Sequence, residues 1–137
     1  MSDLIEKLPK GAHALRILLV DDEPAIRDIL AMVLRREGHV VETAVDGKEA
    51  WEKLSADRAR ADLVITDSQM PRMDGMALVC LIRQTDFSGK IIVFSSSLTA
   101  EKTAKLAALR VDAIVEKAAS TSLLLAEVRR VAFSVDA

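Results

Sequence analysis

Leu63-Val64-Ile65-Thr66-Asp67-Ser68-Gln69-Met70-Pro71-Arg72-Met73-Asp74-Gly75 is the stretch whose reading decides the fold. Its apolar run, Leu63 to Ile65, stops at an aspartate; Pro71 and then Asp74-Gly75 follow. A short unbroken apolar run between polar punctuation reads as a strand buried on both faces. In an open parallel sheet, ligands sit just beyond the carboxyl ends of such strands. Asp67 stands at that position. Pro71 and Gly75 read as a loop shaper and a helix-entry glycine, and Asp74 as the cap of the helix that follows.

Upstream, Arg16 to Val20 is a second apolar run ending in acids, Asp21-Asp22-Glu23. Pro24 suits the first turn of a helix. Ile26, Ile29, Leu30, Val33 and Leu34 recur at helical spacing until Gly38 ends the helix. His39 to Ala44 is β-branched and reads as the second strand. Asp46 with Glu49 three residues later marks a helix start, and Ala50, Trp51 and Leu54 supply its apolar stripe. The central strand spans Asp62 to Thr66, and its helix about Met76 to Gln84. Downstream come a strand at Ile91 to Phe94 closed by serines, a helix at Thr99 to Leu109 with a modest buried face, and a strand at Asp112 to Val115 closed by Glu116-Lys117. The last helix covers about Thr121 to Phe133. Five strands alternating with five helices imply an α/β fold, a doubly wound parallel sheet covered on both faces.

Composition narrows the partners. The 137 residues carry a net charge of −2 with both signs interspersed, which gives no electrostatic footprint for nucleic acid or an anionic membrane. No run reaches the roughly 20 apolar residues needed to cross a bilayer. Residues 1–14 lack a signal-peptide core, so the expected location is cytoplasmic. Residues 1–15 read as an N-terminal extension and 16–134 as one domain. Cys80, the single cysteine, excludes an internal disulfide and reads as a small packed hydrophobe. Trp51 reads as half-buried packing, and His13 and His39 as incidental. The last helix has more apolar positions than one buried stripe needs, leaving part of it as a surface for a partner or a homodimer.

The strand ends carry the chemistry. The first gives Asp21 and Asp22, the third Asp67, the fourth Ser95 and the fifth Lys117, all at one edge of a parallel sheet. Three neighbouring carboxylates repel unless a cation joins them. Hard oxygen ligands with room for water suit Mg²⁺. Lys117 adds a point charge for phosphate, and a serine hydroxyl a hydrogen bond. Together they form a kit for moving a phosphoryl group, and a carboxylate can itself be the nucleophile.

At these residues the chain resembles the receiver domain of two-component response regulators. The matching text is Ile17-Leu18-Leu19-Val20-Asp21-Asp22-Glu23, Thr66-Asp67 with Met70-Pro71-Arg72-Met73-Asp74-Gly75, Ile92-Val93-Phe94-Ser95, and Lys117. The resemblance covers about residues 16 to 133. It implies a flavodoxin-like fold with strand order 2-1-3-4-5. It also implies that Asp67 accepts a phosphoryl group from a histidine kinase or histidine phosphotransfer protein. Asp21, Asp22, Asp67 and the backbone carbonyl of Gln69 would hold Mg²⁺. Lys117 would pair with Asp67 and then with the phosphoryl oxygens, and Ser95 would be the switch hydroxyl. Gln69 and Ser97 stand where the family tunes the lifetime of the phosphoryl group. The chain departs from the family twice: Lys117 is followed by Ala118-Ala119 instead of proline, and Ile114 replaces an aromatic residue.

The expected function is a phosphoacceptor that signals through a downstream protein or relay and is no enzyme beyond its own phosphotransfer and dephosphorylation. With few residues after Phe133, a stand-alone receiver is expected. Two alternatives remain: a degenerate receiver that binds partners without phosphorylation, and an aspartyl-phosphate phosphatase of the haloacid dehalogenase type. The latter usually has a second aspartate where this chain has Gln69.

Overall fold

A computed structural model describes residues 13–96, 98–118 and 121–134. Most of the expected extension, Ser97 and Ala119 lie outside the described residues. The strands are β1 (Arg16–Val20), β2 (Val40–Ala44), β3 (Leu63–Thr66), β4 (Lys90–Ser95) and β5 (Ala113–Glu116). They pair in parallel in the order β2-β1-β3-β4-β5, as the resemblance implied. The helices are α1 (Pro24–Arg36), α2 (Gly47–Ala56), α3 (Gly75–Arg83), α4 (Ala100–Ala108) and α5 (Thr121–Ser134). A 3₁₀ turn at Arg58–Arg60, which the sequence reading lacks, leads into β3.

Alternate residues of the central strands serve two cores, because successive side chains of a strand point to opposite faces. Ile17, Leu19, Ile65 and Ile92 face α1 and α5, whereas Leu18, Val64, Ile91 and Val93 face α2, α3 and α4. All eight are at most 2% exposed. Each such side chain contributes about 1.5–3 kcal/mol by leaving water, so β1, β3 and β4 form a rigid base for whatever lies at their ends. Within α4 only Leu106 is buried, in keeping with the weak apolar stripe of Thr99 to Leu109.

Element bounds sit within a residue or so of the sequence reading, and caps explain the differences. β2 begins at Val40 and not at His39, because the His39 N–H closes the end of α1 on Leu34 O (3.2 Å) while Gly38 takes φ 103°. That is the Schellman ending that a glycine permits. α3 begins at Gly75 because Asp74 caps it, accepting from Ala77 N–H at 2.9 Å. Asp46 caps α2 by accepting from Glu49 N–H, and Glu49 reaches back to Val45 N–H. No described helix is long and apolar enough to cross a membrane.

Candidate functional site

The sheet ladder delivers the chemical residues before their side chains do anything. Asp21 N–H donates to Ala44 O (3.1 Å), Asp67 N–H to Val20 O (3.1 Å) and Lys117 N–H to Ser95 O (3.0 Å). Each is bonded one residue past its own strand, so three backbones are fixed at one rim. Gly75 fixes the return of the chain: its N–H donates to Ser68 O at 3.1 Å. A β-carbon there would stand 1.8 Å from Asp67 O, so only glycine allows this approach.

Lys117 Nζ lies 2.8 Å from Asp21 Oδ2, 2.8 Å from Asp67 Oδ2 and 3.5 Å from Glu23 Oε1. The three residues in tightest contact are dry: the side chains of Lys117, Asp21 and Asp67 are 9%, 3% and 8% exposed. Lys117 Nζ also lies 6.0 Å from the centre of the Phe94 ring, near the limit for a cation–π contact. Burial pulls Lys117 toward neutrality, but hydrogen bonds to Asp21 and Asp67 outweigh it and hold the ammonium above the usual lysine range. At Asp21 burial wins and pushes the carboxyl up, against hydrogen bonds from Lys117 and Glu23 N–H; the Asp67 charge adds to the rise.

One carboxyl oxygen each from Asp21, Asp22 and Asp67 lies within 4.8 Å of the others. Asp22 is the exposed member. Lys117 offsets one of these charges and leaves a surplus. A small hard dication with ligands at about 2 Å draws such oxygens to within about 4 Å of each other. The observed spread is close to that, and the exposed Asp22 side chain can supply the remaining movement. The donor set therefore fits Mg²⁺. Asp67 Oδ1 accepts from Ser68 N–H (2.6 Å) and Gln69 N–H (3.3 Å), so both of its oxygens are held. Gln69, two residues beyond Asp67, is exposed.

Ser95 is fully buried at the end of β4, and its hydroxyl lies 2.6 Å from that of Ser68, itself 4% exposed. Ser68 is absent from the sequence-based set. It bonds Asp67 through its N–H and Ser95 through its hydroxyl, and thus connects two expected site residues. Its place directly after Asp67 was the available signal. Glu23, one of an acidic run in the sequence, also reaches Lys117. Asp21, Asp22, Asp67 and Lys117 come together as a group, while Ser95 enters through Ser68.

Residues 17–129 match the family model described as the response regulator receiver domain. Among curated proteins, the chain is 34% identical over 106 residues to the alkaline phosphatase synthesis transcriptional regulatory protein SphR of Synechococcus elongatus, covering 72% of this chain and 41% of that protein. It is 37% identical over 89 residues to the chemotaxis protein CheY of Treponema pallidum, covering 64% of this chain and 61% of that one. The chain spans less than half the length of the first curated relatives it matches. Among solved structures, chemotaxis protein CheY4 of Vibrio cholerae is 32% identical with a TM-score of 0.77, covering 88% of this chain and 99% of that one. The response regulator TrrA of Thermotoga maritima, solved with Mg²⁺ and BeF, is 34% identical with a TM-score of 0.74, covering 85% and 97%.

Proposed function

The chain belongs to the response regulator receiver domain family of two-component signalling, and from that premise we propose that it accepts a phosphoryl group on Asp67 from a phosphohistidine. The donor is a histidine kinase or a histidine phosphotransfer protein. An Asp67 carboxylate oxygen forms a bond to phosphorus as the phosphorus–nitrogen bond breaks, and the departing imidazole takes up a proton. Asp21, Asp22, Asp67 and the Gln69 carbonyl would hold Mg²⁺, which when bound would neutralise charge on the phosphoryl oxygens. Lys117, already on Asp67 at 2.8 Å, follows that charge onto a phosphoryl oxygen. Ser95 responds to the new group and carries the change to the surface, where a downstream protein reads it.

The observation that carries this reading is the single lysine bonded to two buried aspartates, with a third carboxylate beside them. The receiver spans residues 16–134 after an extension of residues 1–15, and it works in the cytoplasm without enzymatic turnover of a separate substrate. The last helix leaves Leu123 and Phe133 exposed, in keeping with a partner or second copy on that helix. Acetyl phosphate with Mg²⁺ should add one phosphoryl group to the wild type, read by intact mass, and none to Asp67→Asn. Uptake at equal speed by that variant would end the assignment. Ile114 in place of an aromatic residue supports a second reading, a binding module indifferent to phosphorylation; equal partner affinity with and without phosphodonor would establish it.

A further inference from the structure

We propose that Arg72 and Asp46 form a clamp that positions the β3–α3 loop for metal binding, which makes both of them positioning residues of the site. The inference rests on the Mg²⁺ reading above and extends it to residues outside the rim. The loop from Asp67 to Asp74 carries Gln69, which is exposed. Gln69 N–H donates to Asp67 Oδ1 at 3.3 Å, and the position of its carbonyl depends also on how the loop is anchored at its two ends.

The near end is anchored by Gly75 on Ser68 O and against Asp67 O. The far end is anchored on α2. Arg72 takes φ 68°, in the left-handed region that a residue with a β-carbon adopts only when its surroundings impose it. Met73 N–H donates to Pro71 O at 2.8 Å and closes a tight turn across Arg72, and the guanidinium ties that turn to α2: Nε donates to Asp46 Oδ2 at 2.6 Å and a terminal nitrogen donates to Asp46 Oδ1 at 3.2 Å. This two-point fork fixes orientation as well as distance. Asp46 is a firm base, because its side chain is 5% exposed and it caps α2 through Glu49 N–H at 2.9 Å.

One residue further on, Met73 O accepts from Gly47 N–H at 2.9 Å, and a β-carbon at Gly47 would lie 2.3 Å from that oxygen. Two consecutive loop residues are thus docked on the first two residues of the α2 start. The segment from Ser68 to Pro71 is closed at both ends, and its freedom depends on the clamp. Removing the guanidinium releases the tight turn at Arg72 from its side-chain hold on α2. The loop then relaxes, and the Gln69 carbonyl and the amides that hold Asp67 Oδ1 relax with it. Partners that orient metal ligands typically carry 10–100-fold in affinity when lost.

The test is calorimetric titration of the full chain with Mg²⁺ alone, beside melting curves taken without metal. Arg72→Ala and Asp46→Asn should each weaken Mg²⁺ binding by roughly tenfold; asparagine keeps a capping side chain while losing the charge. The double variant should be no weaker than Arg72→Ala, because both changes remove one interaction. Arg72→Lys, which keeps charge but loses the fork, should recover only part of the affinity. Arg16→Ala, which breaks a similar pair at the other end of the sheet, should leave Mg²⁺ binding unchanged. Wild-type binding with unaltered binding in Arg72→Ala, even at a lower melting temperature, would overturn the clamp and leave the site reading standing. A wild type that takes up no Mg²⁺ would overturn both.

Discussion

Asp21 and Asp62 are the same residue type at opposite ends of one sheet, and their carboxyl groups are driven in opposite directions. Asp62 stands before β3 at the amino edge. It accepts from the Arg16 backbone N–H at 2.8 Å and from the Arg16 guanidinium at 3.3 and 3.0 Å. Burial pushes Asp62 up, but those bonds outweigh it and hold the carboxyl below the usual range. Asp112 plays a related part before β5, accepting from Ile91 N–H with Arg83 and Lys90 within 4 Å. At the carboxyl edge Asp21 shares one lysine with Asp67 and Glu23, and there burial wins. Charges matched pair by pair hold a fold together. A surplus kept dry at one rim works against folding, which makes that rim the place to look for a function.

The two edges should differ most at their cations. Lys117→Met strands two buried carboxylates and should cost about 3–5 kcal/mol in the metal-free protein, measured by urea unfolding. Arg16→Met breaks a pair whose arginine is 54% exposed, and should cost less than about 1 kcal/mol. Equal losses would erase the distinction between the two edges.

The aspartates give a smaller effect with opposite signs. Asp62 has a lowered pKa, so its contribution is present above the unfolded value near 3.8 and is lost as pH falls through its folded value. Asp21 has a raised pKa, so the folded state gains from its protonation, and that gain is lost as pH rises through its folded value. At pH 7 without metal, Asp62→Asn should therefore destabilise, by no more than about 1 kcal/mol, while Asp21→Asn should stabilise. Melting curves of the two variants check the signs.

His39 sharpens the amino-edge half of the comparison and should give the smallest effect. It is 4% exposed, and its Nδ1 accepts from Leu15 N–H at 3.0 Å, which places the proton on Nε2. Nε2 has no partner among the described residues. Burial holds the imidazole below its ordinary 6.5, with the Glu37 charge opposing weakly. The unfolded chain then binds the proton first as pH falls. Stability present above pH 6.5 should decline below it, and His39→Gln should flatten that part of the pH profile.

How much of this was legible in the sequence follows from what each feature depends on. The central strands were legible because residues buried on both faces leave an unbroken apolar run, as in Leu63-Val64-Ile65. The rim was legible because a strand that ends in an acid or a lysine places it at a fixed edge once the sheet is parallel. The strand order was not derivable from spacing and came from the resemblance. Ser68 with Ser95, and Arg72 with Asp46, pair side chains from different elements across a loop. The left-handed turn at Arg72 has no signal in an arginine, unlike the one at Gly38. A lone histidine carries no pattern, so His39 reads as incidental in the sequence; in the fold its N–H donates to Leu34 O and its Nδ1 accepts from Leu15 N–H.

Excess carboxylate at the carboxyl edge should be answered by a divalent cation, and thermal unfolding against Mg²⁺ concentration tests this most directly. The wild type should gain about 2.7 kcal/mol at roughly one hundred times its Kd for Mg²⁺, and Asp22→Asn should lose most of that gain because it removes the exposed carboxylate of the cluster without disturbing the core. A wild-type curve indifferent to Mg²⁺, or one shared in full by Asp22→Asn, would contradict it.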